Sequence, residues 1–276
     1  MALNLPVFYQ RTGSAIVFAA VMLVGLLWNL ESFYVLMTVI SVLCLKELMQ
    51  LLQKINPETH WPKWLPANIM AINVLVIVYT FFLRAGSICG YNAPAIALAI
   101  ICYIVILTVF CILPEKNALA ALMQGLGSLF YVTCPFLALI SMRWMNYELP
   151  LALILMIWTN DTMAYLVGSF IGKTPFSAIS PKKTWEGTGG GAILTMIGAM
   201  AYGYLSHKYS LVDWAALALC AGVAGTLGDL VESKLKRMAN VKDSGTLMPG
   251  HGGAFDRFDS LLLAAPFAGC YVALFM

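Results

Sequence analysis

Long apolar runs separated by short polar stretches make up most of this chain. Each run has about 17 to 25 residues, the length that a helix needs to cross a hydrocarbon core. The runs are apolar on all sides and lack the alternation of barrel strands, so they predict membrane-spanning helices. The pattern therefore predicts an all-α, polytopic integral membrane protein with about nine transmembrane helices, near residues 14–30, 33–50, 66–84, 93–113, 118–141, 149–171, 190–206, 212–231 and 260–276.

The positions of the basic residues predict the orientation of these helices. If the N-terminus is cytoplasmic, only Arg84, Arg143 and Lys208 of the 16 Lys and Arg residues fall on the outer side. Such a bias is typical of membrane proteins, whose cytoplasmic loops are enriched in Lys and Arg. It supports nine spans and a cytoplasmic N-terminus, because one span fewer or more would mix the two sides.

Composition agrees with a membrane protein and adds little about chemistry. The chain has 276 residues, of which 61% are hydrophobic and 11% charged, with a net charge of +3. No nucleic-acid partner is expected. The seven cysteines form no C-x-x-C pair, and all but Cys89 lie in apolar runs, so we interpret those six as small core residues. The first helix, which shows no cleavage pattern, is expected to serve as the targeting signal.

Most charged residues of the last third lie in one interval, residues 228 to 260, between two apolar segments. Its first part, "GDLVESKLKR", predicts the cytoplasmic end of the eighth helix. Helical spacing then places Asp229, Glu232, Ser233 and Lys236 on one face. A helix end rich in internal ion pairs is the alternative. Acids this close to hydrocarbon are costly, however, and usually mark a functional site.

The second part of the interval, "FDRFDS", begins the ninth helix and carries Asp256 and Asp259 three positions apart. Acids in a first helical turn also favour the helix dipole, which is an equally good explanation of Asp259 alone. Asp256 belongs with Asp229 and Asp161, acids at the cytoplasmic ends of different helices. Several acids at one depth, without His or Cys partners, are typical of a hard cation such as Mg²⁺.

Two cytoplasmic loops, residues 172–191 and 232–259, supply candidate anion-binding groups. The first contains "SPKKTWEG", with Lys182, Lys183 and Thr184. Adjacent lysines are often only a marker of the cytoplasmic side. Here further cations lie near the acids, and cations with a divalent metal describe a polyphosphate site. In the second loop, "MPGHGG" is flexible enough to approach a ligand, and His251 could donate to a phosphate.

These motifs resemble the signature of the CDP-diacylglycerol synthases, also called phosphatidate cytidylyltransferases. The matching positions are Ser233, Lys236, Arg237, Lys242, Asp243, Pro249, His251, Gly252, Gly253, Asp256, Arg257 and Asp259. "SPKKTWEG" and "NDTMAYLVG" resemble two further segments of that family. Met248 and Ala254 depart from the signature in side-chain size only.

The resemblance implies transfer of a cytidylyl group from CTP to phosphatidate, giving CDP-diacylglycerol and pyrophosphate. It implies Mg²⁺ as cofactor, with room for a second cation, and membrane lipid and a second copy of the chain as partners. Residues 1–157 would form a helical scaffold, with contacts in a homodimer, and residues 158–276 the catalytic region, in a bacterial inner membrane. By resemblance the metal ligands are Asp229 and Asp256, supported by Asp259 and Asp161. Catalytic roles fall to Asp229, Asp256, Lys236, Arg237, Lys242, Asp243, His251 and Arg257, and further contacts with substrate phosphate to Lys182, Lys183, Thr184 and Ser233.

Two other functions compete with this one. A related membrane enzyme could use CTP on a polyprenol or another lipid with the same loops. An ion-coupled secondary transporter also uses acids within the membrane, but its charges should lie near the midplane on broken helices related by a repeat. The charges of this chain gather at one side, and the sequence shows no repeat.

Overall fold

The computed structural model describes residues 5–84, 117–247 and 252–276, and all regular secondary structure in these ranges is helical. The helices are α1 (Leu5–Leu27), α2 (Leu30–Ile55), α3 (Trp64–Arg84), α4 (Ala118–Met145), α5 (Glu148–Ile171), α6 (Trp185–Ser206), α7 (Leu211–Leu219), α8 (Gly225–Met238) and α9 (Phe255–Phe275). A π-helical turn, Cys220–Ala224, joins α7 to α8. The prediction of an all-α fold is confirmed.

Within the described ranges, six helical segments are long and apolar enough to cross a membrane. They are Leu30–Ile55, Trp64–Leu83, Leu119–Met145, Glu148–Ile171, Leu211–Met238 and Phe255–Phe275. The chain is therefore a multi-pass membrane protein. Helices α1 and α6 coincide with the predicted spans 14–30 and 190–206, although glycines make α6 less apolar than the six. The predicted span 93–113 lies outside the described residues, so the count of nine and the orientation stay predictions.

Several helices, among them α6, α8 and α9, extend beyond the predicted spans. Thr184 accepts a hydrogen bond from the Gly187 amide (3.1 Å) and starts α6, so residues 185–191 are helical, not part of a loop. Residues 232–238 and 255–259, which lie in the other predicted loop, are helical as well. Helical starts and ends at "FDRFDS" and "GDLVESKLKR" are thus confirmed, whereas the loop bounds 172–191 and 232–259 were too wide.

The chain divides into two compact units, whose boundary differs from the predicted division at residue 157. The first comprises Met1–Thr133 and Asp243–Phe255. Its helices α2, α3 and α4 are joined by a buried polar chain, in which Thr133 Oγ1 donates to Asn73 Oδ1 and Asn73 Nδ2 donates to Ser41 Oγ, each at 2.8 Å. Such a satisfied network fixes helix register where apolar packing alone is less directional.

The second unit comprises Cys134–Lys242 and Asp256–Met276. Here α5 and α6 pack closely because small residues face each other. A side chain at Gly187 would overlap Ala164 O and Gly168 Cα, and one at Gly191 would overlap the backbone of α5 near Ala164. The glycine-rich start of α6 is therefore a helix-packing face, the membrane equivalent of a small-x-x-x-small interface.

Candidate active site

Three carboxylates from two helices of the second unit meet in one cluster. Asp229 and Glu232 lie on α8 and Asp259 on α9, and one oxygen of each lies within 4.8 Å of the others. The helices approach closely at Gly228, where an added Cβ would overlap the carbonyl oxygen of Asp259 and lie 3.2 Å from Ser260 Cα. A single glycine in "GDLVES" therefore permits the approach that brings the acids together.

Glu232 is the most deeply buried acid of this cluster, with 1% of its side chain exposed. Lys236 Nζ lies 2.6 Å from Glu232 Oε2, yet neither carboxylate oxygen has a partner in hydrogen-bonding geometry. The contact is therefore an ion pair without a directed hydrogen bond. Lys236 Nζ also donates to Asp256 Oδ1 at 2.7 Å. A buried carboxylate with unused oxygen positions is costly unless another cation completes its shell.

Lys183 joins the cluster from the loop that precedes α6. Its Nζ forms an ion pair with Asp229 Oδ2, and Ser233 Oγ donates to Asp229 Oδ1 at 3.2 Å. Both members of the ion pair are about a quarter exposed, at 27% each. Asp229 is thus partly accessible to solvent, and its carboxylate lies close to those of Glu232 and Asp259.

The loop that carries Lys183 is folded around Glu186 in the first turn of α6. The Glu186 carboxylate accepts hydrogen bonds from the Thr174 hydroxyl (2.8 Å) and from the amides of Lys173 and Thr174. The Thr174 hydroxyl, followed by backbone amides, lowers the pKa of Glu186 to about 2. The aromatic rings of Phe176 and Trp185 pack edge to face at 4.5 Å. These contacts give the loop a defined path and hold Lys183 towards α8.

A polar cavity of about 590 Å³ lies beside Asp229. It is lined by several residues that the sequence predicted for the site, namely Asp161, Lys182, Lys183, Thr184 and Asp229. Asn160 also lines it; this side chain is 2% exposed, and its Oδ1 lacks a hydrogen-bond partner. An unpartnered amide oxygen at the wall of a polar cavity is free to accept from a ligand.

Five further predicted residues are exposed or fall outside the part of the chain that the structure describes. Arg237 and Lys242 are exposed and line a second cavity, of about 360 Å³, with Asn240 and Val241. Arg257 is exposed on α9, and Asp243 is exposed in the first unit. His251 lies outside the described residues. The roles assigned to these five residues, as to the rest of the predicted site, stay predictions.

The sequence placed Glu232 on the face of Asp229 but did not assign it to the metal. Its i+3 spacing from Asp229 and its position at a membrane helix end were the available signals. Asp256, predicted as a ligand, is instead paired with Lys236. Glu47 was not predicted as a functional residue, although an acid inside an apolar run such as that of α2 usually marks a functional site.

The chain is similar in sequence to known proteins. Residues 9–275 match the sequence model described as the Cytidylyltransferase family, and the chain belongs to this family. It is similar to the phosphatidate cytidylyltransferase of Synechocystis sp., with 46% identity over 124 residues, covering 44% of this chain and 41% of that protein. It is also similar to the Bacillus subtilis phosphatidate cytidylyltransferase, with 44% identity over 121 residues, 43% of this chain and 45% of the relative.

A plant protein, phosphatidate cytidylyltransferase 4 of Arabidopsis thaliana chloroplasts, is 44% identical over 118 residues, 41% of this chain and 29% of the relative. The chain thus spans less than half the length of each of these three relatives. The family recognised from the signature between Ser233 and Asp259 is confirmed.

Proposed function

We propose that this chain transfers the cytidylyl group of CTP to phosphatidate, giving CDP-diacylglycerol and pyrophosphate. The observation that carries the proposal is the part-buried carboxylate cluster beside a cavity lined by two lysines. Acids that hold a cation and lysines that hold phosphates are what two polyanionic substrates require in order to meet. The names of the relatives support phosphatidate as the lipid.

The carboxylate cluster fits the Mg²⁺ that the family implies. Asp229, Glu232 and Asp259 offer only oxygen ligands, and Glu232, which is ion-paired with Lys236 through Oε2, has no hydrogen bond to either carboxylate oxygen among the described residues. Asp256, predicted as a ligand, and Asp161, predicted as support, stay candidates. When bound, Mg²⁺ would offset negative charge on the nucleotide phosphates and polarise the bond to the α-phosphorus.

The residues of the chain bind and orient the phosphates in this proposal. Lys182 and Lys183 line the cavity and would contact the nucleotide phosphates. A phosphate monoester is largely ionised near neutral pH, with a second pKa of about 6, so no side chain needs to remove its proton. An oxygen of the lipid phosphate forms a bond to the α-phosphorus, and the bond from that phosphorus to the bridging oxygen breaks. Pyrophosphate leaves with that electron pair.

An apolar cleft in the second unit fits an acyl chain of the lipid. It has a volume of about 380 Å³ and is lined by residues of α5, α6 and α7, among them Leu151, Leu155 and Gly198. Thr159 in this cleft is adjacent in sequence to Asn160 in the polar cavity, so α5 contributes successively to both. Such continuity is what a substrate with a phosphate head and an apolar chain needs.

The proposed reaction is tested with the purified full chain in detergent. CTP and phosphatidate should give CDP-diacylglycerol and pyrophosphate with Mg²⁺, and EDTA should stop the reaction. Dolichol and phytol, offered in parallel, should give no product. Product with either alcohol and none with phosphatidate would identify the other CTP-dependent function, and no product from any lipid would contradict the proposal. Homodimerisation and a bacterial inner-membrane location stay predictions that cross-linking and membrane fractionation would test.

A further inference from the structure

The first unit contains a buried acid, Glu47 in helix α2, whose side-chain partners among the described residues come from one distant segment. Glu47 is 7% exposed. Ser244 Oγ donates to Glu47 Oε2 at 2.7 Å, the Phe255 amide donates to Oε2 at 2.9 Å, and the Ala254 amide donates to Oε1 at 3.0 Å. These partners lie about 200 positions along the chain, at separations of 197 to 208 residues.

Two glycines lie directly against the Glu47 carboxylate. Side chains added at Gly245 or Gly253 would overlap the Glu47 carboxylate. These glycines adjoin Ser244 and Ala254, so the stretches on both sides of the carboxylate are adapted to it. A buried carboxylate of this kind is tolerated because three donors replace its lost hydration.

Two of the three donors are the amides at the start of helix α9. Phe255 is the first residue of that helix, and the first amides of a helix have no partner within it. A side chain usually satisfies them from the residue just before the helix, but here the acceptor comes from another helix. A negative group at this end also interacts favourably with the helix dipole. Asp256, the next residue, and Asp259 follow in the same helix.

We infer that Glu47 is a positioning residue, which fixes the start of α9 and joins it to Ser244. The inference depends on the proposed function, because Phe255 begins the helix that carries Asp256 and Asp259. It also gives the N-terminal helices a role beyond a scaffold: α2 supplies the acceptor on which the first turn of α9 is built.

Glu47→Gln tests this role with minimal change of shape. The amide keeps one acceptor oxygen but turns an NH₂ group towards donors, so at least one of the three hydrogen bonds is lost. We expect kcat for CDP-diacylglycerol formation to fall about 10- to 100-fold, as small misplacements of catalytic groups do. KM for CTP should change less than threefold, or about half a decade, because the lysines at the cavity are untouched.

Hydrogen exchange of the full chain gives a readout that is independent of activity. In Glu47→Gln, peptides covering residues 243–259 should exchange faster, whereas peptides from α3 should match the parent. Glu58→Gln makes the same chemical change at an exposed position of the same unit and should leave both kcat and exchange unaltered. If phosphatidate proves not to be the substrate, the exchange result still reports on the positioning role.

Three outcomes would overturn the inference. One is unchanged exchange at residues 243–259 together with an unchanged kcat. Another is uniformly faster exchange throughout the first unit, which indicates a general structural role. The third concerns Glu47→Asp, which retains the charge on a shorter side chain and replaces Glu47→Gln if that variant does not insert. A folded Glu47→Asp variant with the kcat and exchange of the parent would refute positioning by this carboxylate.

Discussion

The close approach of α8 and α9 gives a matched pair of substitutions with opposite expected results. Gly228→Ala places a Cβ into the carbonyl oxygen of Asp259, a backbone atom that cannot rotate away. Gly225→Ala, one turn earlier on the same helix, places its Cβ 3.5 Å from Ser260 Cβ, an ordinary van der Waals distance. Both changes replace glycine by alanine in one helix, so they differ mainly in what the new methyl group meets.

The size of each effect follows from these distances. Alanine favours a helix over glycine by about 1 kcal/mol, and Gly225→Ala should retain that gain. At Gly228 the helices must separate by on the order of 1 Å to restore contact distance. Overpacking of this kind costs about 1–3 kcal/mol, which offsets or exceeds the gain in helix propensity. The separation also moves Asp229 and Glu232 away from Asp259, and a 1 Å misplacement can reduce turnover by about 100-fold.

The assay is CDP-diacylglycerol formation by purified variants, with thermal unfolding in the same detergent. We expect turnover within about twofold of the parent for Gly225→Ala and a loss of about 100-fold for Gly228→Ala. An unfolding midpoint for Gly228→Ala near that of the parent would attribute the loss to alignment. Equal turnover in the two variants would refute the claim that Gly228 sets the geometry of the carboxylate cluster.

Three further predictions concern charges and topology. Replacing Lys182 and Lys183 together by Gln should raise KM for CTP or phosphatidate, with normal membrane insertion and yield. Unchanged kinetics would indicate that the two lysines only mark the cytoplasmic side. Asp229→Asn and Asp256→Asn should each remove nearly all turnover. The double variant should be little worse than either, because groups that act as a unit are non-additive. Near-normal turnover in Asp256→Asn would contradict the metal role of Asp256. A membrane-impermeant thiol reagent on intact cells should label Cys89 above other cysteines, and labelling only after the cytoplasmic side is opened would reverse the orientation.

Local sequence patterns predicted the helices and the helix ends that carry the candidate site residues. The spacing of Asp256 and Asp259 after a polar segment predicted a helix start, which lies at Phe255. Apolar runs predicted the spanning helices because a hydrocarbon solvent leaves few alternatives to a helix. The positions of Lys182, Lys183 and Asp161 at one cavity with Asp229 also agree with the grouping proposed from sequence.

Long-range packing could not be predicted from these signals. The glycines that begin α6 have the composition of a flexible loop, and only the proximity of α5 shows that they form a packing face. Glu47 has no neighbour in sequence that indicates Ser244 or Phe255 as its partners. Helical spacing placed Glu232 on the same face as Asp229. The approach of Asp259, however, depends on Gly228, whose role is apparent only when the two helices are placed together.

The charges at the cluster indicate how the site would respond to its substrates. Three of the carboxylates, on Asp229, Glu232 and Asp256, form ion pairs with Lys183 or Lys236, and the Asp259 carboxylate lies beside Asp229 and Glu232. Lys183 is held by Asp229 in this state and cannot bind a phosphate at full strength at the same time. If Asp229 bound a cation instead, Lys183 would become available to the nucleotide, so we expect cation and nucleotide to enhance each other's binding, as linked ligands must.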